Sequence, residues 1–349
     1  MRGMPADAAV LEFPSPVAPD PGHPVEVAPG ILWLRLALPF PLNHVNIYLL
    51  EDGPGWTVLD TGINDARSRA WWEALLTSGA LADRKPTRLI VTHFHPDHVG
   101  LAGWLAERCG IELVMSRTEY LTTQLHRRWT EAPEIEAHRA YYADCGLDGG
   151  ASAAMLERDI GYRWLTTDLP PSFRRIAAGD RLTIGGRRFE VLTGGGHSPE
   201  LVMLLCREEG IFLPADQVLA KISPNVSVWP QEPDSDPLGE FLKSLSELQA
   251  SVPEGVLALP AHNLPFRNVH GRLAELIRHH GERCAAIRAA AAEPMLPAAI
   301  VPKLFPRQLD AHQTSFAFGE TLAHVNYMLR RGEMVAEPGP DGRILVRTT

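Results

Sequence analysis

One short stretch constrains this chain more than any other. Thr92-His93-Phe94-His95-Pro96-Asp97-His98 stands directly behind the apolar run Leu89-Ile90-Val91. Such a run reads as a buried strand, and alternate residues of an extended segment point the same way, so His93 and His95 share a face. A helix opening near Pro96 turns Asp97 and His98 back toward the same point. Histidine is the commonest ligand for borderline transition metals, and a carboxylate beside it adds negative charge. The pattern calls for an α/β fold in which a strand ends in a metal-binding loop. Its bland alternative is a histidine-rich surface turn.

Three more residues stand at the ends of apolar runs. His197 follows Phe189 to Thr193 and the triplet Gly194-Gly195-Gly196, Asp216 ends Ile211 to Ala215, and His262 ends Val256 to Ala261. Strand ends are where α/β folds keep their chemistry, because strands form a rigid base and loops stay free to vary. Singly, each has an ordinary reading as a loop histidine, a turn former or a helix cap. The other histidines fit ordinary readings better. His279-His280 lies in a helical stretch from Gly271 to Ala292, and His126, His138, His312 and His324 lie in helix-type patterns. His23 is in a proline-rich leader, and His44 precedes the strand-like run Val45 to Leu50, where it lines a pocket or packs.

With these residues in this order the chain resembles the metallo-β-lactamase-fold superfamily, specifically its dinuclear hydrolases of the glyoxalase II type. The resemblance runs from Val25 to His270. It implies an αββα four-layer sandwich, with His93, His95 and His197 on one metal and Asp97, His98 and His262 on a second. Asp216 bridges them, and Asp60 of the Asp60-Thr61-Gly62 turn orients a ligand histidine, fixing its tautomer. The chain departs from the pattern at Ala215, where the family often has glycine, and at His197-Ser198-Pro199-Glu200, where a proline-glycine turn is usual. The Lys and Arg residues that bind glutathione in true glyoxalase II are not recognisable.

The resemblance implies two divalent cations about 3.5–4 Å apart that clamp and activate a water, the bridging hydroxide being the nucleophile. Asp97 then orients that hydroxide as well as binding metal. Histidine and carboxylate donors without cysteine suit zinc, with iron or manganese open on ligand type. A thioester or related acyl ester of acyl-glutathione or acyl-CoA type is the first expectation, because its leaving group departs without a strong acid. A lactone is the second. An endoribonuclease-like RNA phosphodiesterase is the third and a non-catalytic binding protein the fourth, the latter at odds with seven intact ligand positions.

Composition narrows these choices. A chain of 349 residues suffices for two domains, and 45% hydrophobic with 21% charged residues is ordinary for a globular core. The net charge of −9 opposes nucleic-acid binding driven by phosphate neutralisation. Four cysteines without a C-x-x-C pair read as reduced thiols of a cytoplasmic protein. No apolar run approaches the ~20 residues that cross a bilayer, so no membrane partner is expected.

The expected organisation is a flexible leader over 1–24, a catalytic domain over 25–270 and a C-terminal unit over 271–349. A helical insertion over about 116–176 either covers the site or adds a packing layer. Within it Tyr120, Trp129, Tyr141 and Tyr142 are candidates for an acyl pocket or for core; Tyr120 and Tyr141 are taken as substrate contacts together with Asn225 of the Lys221–Trp229 segment. The C-terminal helices and final hairpin resemble a winged-helix appendage found in one branch of the superfamily. Its last helix carries one basic doublet, Arg330-Arg331, which favours packing or homodimer formation over nucleic-acid binding.

Overall fold

The computed structural model describes residues 10–128, 132–147 and 149–349. The first half builds a seven-stranded sheet in the order β1 (Val25–Ala28), β2 (Ile31–Ala37), β3 (His44–Asp52), β4 (Gly55–Leu59), β5 (Pro86–Ile90), β6 (Leu113–Met115) and β7 (Arg174–Arg175). Between these strands lie α1 (Ala66–Thr77), α2 (Pro96–Val99) and α3 (Ala102–Cys109), then α4 (Arg117–His126), α5 (Ala132–Asp144) and α6 (Gly149–Gly161). A five-stranded sheet follows, from β8 (Arg181–Ile184) and β9 (Arg187–Gly194) through β10 (Leu201–Cys206) and β11 (Ile211–Ala215) to β12 (Leu257–Pro260). Helix α7 (Pro237–Ser251) joins β11 to β12, and α8 (Val269–Ala290), α9 (Pro297–Leu304), α10 (Ala311–Arg330) and the hairpin β13 (Met334–Pro338)–β14 (Ile344–Thr348) complete the chain.

Alternation along the strands explains the layers. In β3, Tyr48 and Leu50 face the second sheet while Val45, Ile47 and Leu49 pack toward α1 and α3. In β10, Val202, Leu204 and Cys206 face the first sheet and Leu201, Met203 and Leu205 face α7 and α8. Strands buried on both faces read as continuous apolar runs, and a helix–sheet–sheet–helix sandwich results. Helix α1 starts where Asp65 caps it, accepting from the Ser68 N–H at 2.6 Å, and Trp72 and Leu75 point inward.

Strand direction places the site. Strands β4 and β5 are parallel, β11 and β12 are parallel, and β9 runs the same way because both it and β11 are antiparallel to β10. Their carboxyl ends therefore open on one edge of the sandwich. Hydrogen bonds tie the two sheets there: Tyr48 Oη donates to the Pro260 carbonyl at 2.9 Å, and the Asn46 N–H to that of Ala261 at 2.7 Å.

One expectation changes. Residues 10–24 are not a free leader: Arg267 N donates to the Glu12 carbonyl, Gly22 N to that of Arg35, and Phe13 packs on the core. The expected helical insertion holds α4, α5 and α6. In the C-terminal part of the chain, Leu273 and Leu276 of α8 share one apolar cluster with β10 to β12 and with Phe318 and Leu322 of α10. Helix α8 thus forms part of the outer layer of the second sheet. Tyr142, Met155 and Leu156 join the same cluster, so α5 and α6 are a packing layer. No helix among the described residues is long and apolar enough to cross a membrane.

Candidate metal centre

All seven ligand-type side chains meet at the strand ends. His93 Nε2 lies 3.0 Å from His95 Nδ1, His95 Nδ1 3.0 Å from His197 Nε2, and the triangle closes at 3.3 Å between His197 and His93. Three nitrogens around one tetrahedral cation at about 2.0–2.1 Å would stand roughly 3.3 Å apart. Beside this triangle, Asp97 Oδ2 is 3.3 Å from His262 Nε2 and 3.7 Å from His98 Nε2. Asp216 lies between the two groups, with Oδ2 3.4 Å from His197 and 3.2 Å from His262, and Oδ1 3.6 Å from His98.

On four of the five rings the outer nitrogen is already committed. His98 Nδ1 donates to Asp60 Oδ2 at 2.8 Å, His197 Nδ1 to the Asn225 carbonyl at 2.8 Å, and His262 Nδ1 to the His44 carbonyl at 2.7 Å. His93 Nδ1 donates to Thr92 Oγ1, which itself donates to Asp60. Each bond fixes a tautomer and aims an Nε2 lone pair inward. Three of the inward atoms, His98 Nε2, His262 Nε2 and Asp216 Oδ1, are buried without any hydrogen bond. Orphaned buried polar atoms are costly, so their convergence fits cations better than an ordinary core.

Burial works against charge throughout the site, and His93 and His95 stay well below the ordinary imidazole pKa. At His98 burial is outweighed by Asp97, Asp216 and Asp60, which raise its pKa well above normal. At His262 it is outweighed by Asp216 and Asp97, which bring the pKa to about 10. Asp216 is likewise held well below normal, against burial, by His262 and His98, and Asp97 at about 2 by His98 and His262. Carboxylates that draw protons onto neighbouring rings exert the field that would retain cations.

Local backbone serves the geometry at some cost. Asp60 has φ 66° and Ala215 φ 48°, both left-handed, a region that costs an L residue roughly 1–2 kcal/mol. Gly196 (φ 91°) passes so close to α7 that an added Cβ would sit 2.2 Å from the Pro237 carbonyl oxygen. Only glycine satisfies both demands.

The substrate contacts expected in the insertion are placed less favourably. The Tyr120 ring stacks on Phe173 at 4.0 Å and its hydroxyl donates to the Pro170 carbonyl, which makes it core. Tyr141 packs with the α7–α10 cluster beside Cys145. Trp129 lies outside the described residues. Asn225 reaches the centre through its backbone carbonyl, while its side chain accepts from Ser227. The rings that do flank the histidines are Phe94, 4.5 Å from His95, and then His126 and Trp229.

Glu119 joins the site by contacts that its place in the sequence does not signal. Ser116-x-x-Glu119 at the start of α4 has the form of a capping box. Ser116 does cap, but the Glu119 carboxylate accepts instead from Phe94 N–H (2.9 Å), Ser198 Oγ–H (2.7 Å) and Glu200 N–H (2.7 Å). It ties the loop of His93 and His95 to that of His197. Burial, only partly offset by these bonds, lifts its pKa to about 7.

The family model of the metallo-beta-lactamase superfamily matches residues 41–262, and that of the metallo-beta-lactamase-like C-terminal domain matches residues 284–348. The chain belongs to the metallo-beta-lactamase superfamily. A solved superfamily structure, a beta-lactamase domain protein from Burkholderia ambifaria, is 40% identical with a TM-score of 0.89, over 97% of this chain and 98% of its own. A metallo-beta-lactamase family protein from Thermus thermophilus is 29% identical with a TM-score of 0.79, over 93% of this chain and 100% of its own. Among curated sequences, "Probable metallo-hydrolase YqjP" of Bacillus subtilis (strain 168) is 24% identical over 85% of this chain and 92% of its own.

Proposed function

We propose that the protein is a dinuclear metal-dependent hydrolase of small acyl esters or thioesters, with His93, His95 and His197 on one cation, Asp97, His98 and His262 on the other, and Asp216 shared. The carrying observation is the set of three buried, unpartnered atoms at the point where seven donors meet. Bound divalent cations, zinc by donor type, supply Lewis acidity and lower the pKa of a water. The protein does the rest. Asp216, Asp60 and the carbonyls of Asn225 and His44 hold the rings in register. Asp97, at 20% exposed against 8% for Asp216, is the carboxylate open to the substrate side and would orient the attacking water. Trp229, the partly exposed ring of the Phe94–His126–Trp229 group, offers an apolar contact for an acyl chain, and a thiolate leaves without a general acid.

The appendage is read as a winged-helix-like packing unit over 271–349, with 25–270 catalytic. Arg331 is paired with Glu333 at 2.8 Å and Arg330 bonds the Asp234 carbonyl, so the basic doublet is committed within the chain. This weighs against an RNA substrate, as does the net charge of −9. Turnover of acyl-CoA, acyl-glutathione, lactone and phosphodiester substrates by the zinc-loaded protein tests the reading. Thioester or ester hydrolysis lost with chelator and restored by zinc is expected; cleavage of the phosphodiester alone would overturn it.

A further inference from the structure

We propose that His280, Glu320 and His324 form a further metal site, outside the strand-end cluster, which takes one zinc-class cation and clips α8 and α10 to the loop behind His197. The two imidazoles face each other across the α8–α10 crossing, and both are fully buried. His280 Nδ1 lies 3.2 Å from His324 Nε2, within the 3.0–3.3 Å spacing of the strand-end triangle. Glu320 stands one helical turn before His324, so their side chains share a face of α10. One ligand atom from each of the three lies within 4.8 Å of the other two.

The tautomers suit coordination. His324 Nδ1 donates to the Glu320 backbone carbonyl at 2.7 Å, which directs its Nε2 lone pair at the site. A backbone carbonyl in that role is the usual outer partner of a metal-bound histidine. On His280, Nε2 lies 3.4 Å from Ser223 Oγ, so Nδ1 is the ligating atom. Burial and neighbouring rings hold His280 at about 2, and burial holds His324 at about 4, so both are neutral near pH 7, as ligands must be. A hydrogen bond between the rings would account for the pair alone. It leaves unexplained the Glu320 carboxylate, 18% exposed, whose one cation within 4.0 Å among the described residues is Arg283, at 3.9 Å. Two histidines and a carboxylate are a zinc donor set that leaves a fourth position for water.

The location gives the site a consequence. Ser223 touches His280; Arg272 of α8 donates to the carbonyls of Leu219 (2.7 Å) and Ile222 (2.8 Å); Val228 N donates to the Gly319 carbonyl of α10. Between these anchors sits Asn225, whose carbonyl orients His197. A cation joining α8 to α10 therefore fixes the spacing of the two helices that hold this loop.

Zinc titration of the full-length protein, stripped with chelator and then assayed by elemental analysis, tests the proposal. The parent should bind one equivalent more than His324→Gln, and Glu320→Gln, which preserves volume, should weaken that equivalent at least tenfold. Equal stoichiometry and affinity in parent and both variants would overturn it. Should His324→Gln fail to fold, anomalous scattering at the zinc edge from zinc-soaked crystals of the parent decides. A peak between His280 Nδ1 and His324 Nε2 is expected, and density there without one refutes the site. Neither readout depends on what the strand-end cluster hydrolyses.

Discussion

The strand-end cluster and the α8–α10 cluster hold ring nitrogens at nearly the same spacing on opposite kinds of scaffold. At the strand ends, loops from both sheets deliver donors over an interval from His93 to His262, and two carboxylates face two raised histidines. On the helices, two donors come from a single turn and one from a neighbouring helix, the rings are neutral, and Arg283 offsets the lone carboxylate. Charge rather than spacing separates the two. Atoms left unsatisfied by the strand ends mark a place built around cations, whereas the helical pair gains rigidity from one.

The sharpest separation should come from His95→Ala. Turnover should fall on the order of 10³-fold, ~4 kcal/mol of lost transition-state stabilisation, while the chain stays folded. His324→Gln should stay within about tenfold of the parent in the same assay. Similar losses in the two would erase the distinction. Asp60→Asn comes next: weakening the partner of His98 Nδ1 should lower strand-end metal affinity about 10–100-fold, read by competition with a chromophoric chelator. Unchanged affinity would reduce Asp60 to a buried acceptor.

Glu119→Gln should cost about 1.5 kcal/mol in denaturant unfolding, because an amide cannot accept from all three donors and leaves one unpaired. If Glu119 sets the distance between the two loops, turnover should fall too; loss of stability with unchanged turnover would make it a strut only. The smallest effect is expected at Ala215→Gly. Relief of the left-handed strain is partly cancelled by the greater freedom of glycine in the unfolded chain, for a net gain of about 0.5 kcal/mol. A destabilised variant would show that the Ala215 methyl, buried in the core cluster, outweighs the strain.

Local patterning is enough to read much of the molecule. Apolar runs and turn chemistry identify β3, β5 and the strands ahead of His197, Asp216 and His262, because those signals reach only a few residues along the chain. The Thr92–His98 motif is legible for the same reason. Whether Asp216 stands between His197 and His262 depends instead on β9 and β11 running in one direction within a sheet packed on another, which no short window contains. Glu119 looks like part of a helix cap until the fold brings the 198–200 loop to it. Tyr120 looks like a pocket residue until Phe173 and Pro170 claim its ring and hydroxyl. His280 and His324 are ordinary helix positions 44 residues apart until α8 crosses α10. Sequence determined which side chains could act and on what local frame; tertiary packing decided which of them meet, since convergence is a property of distant segments sharing one core.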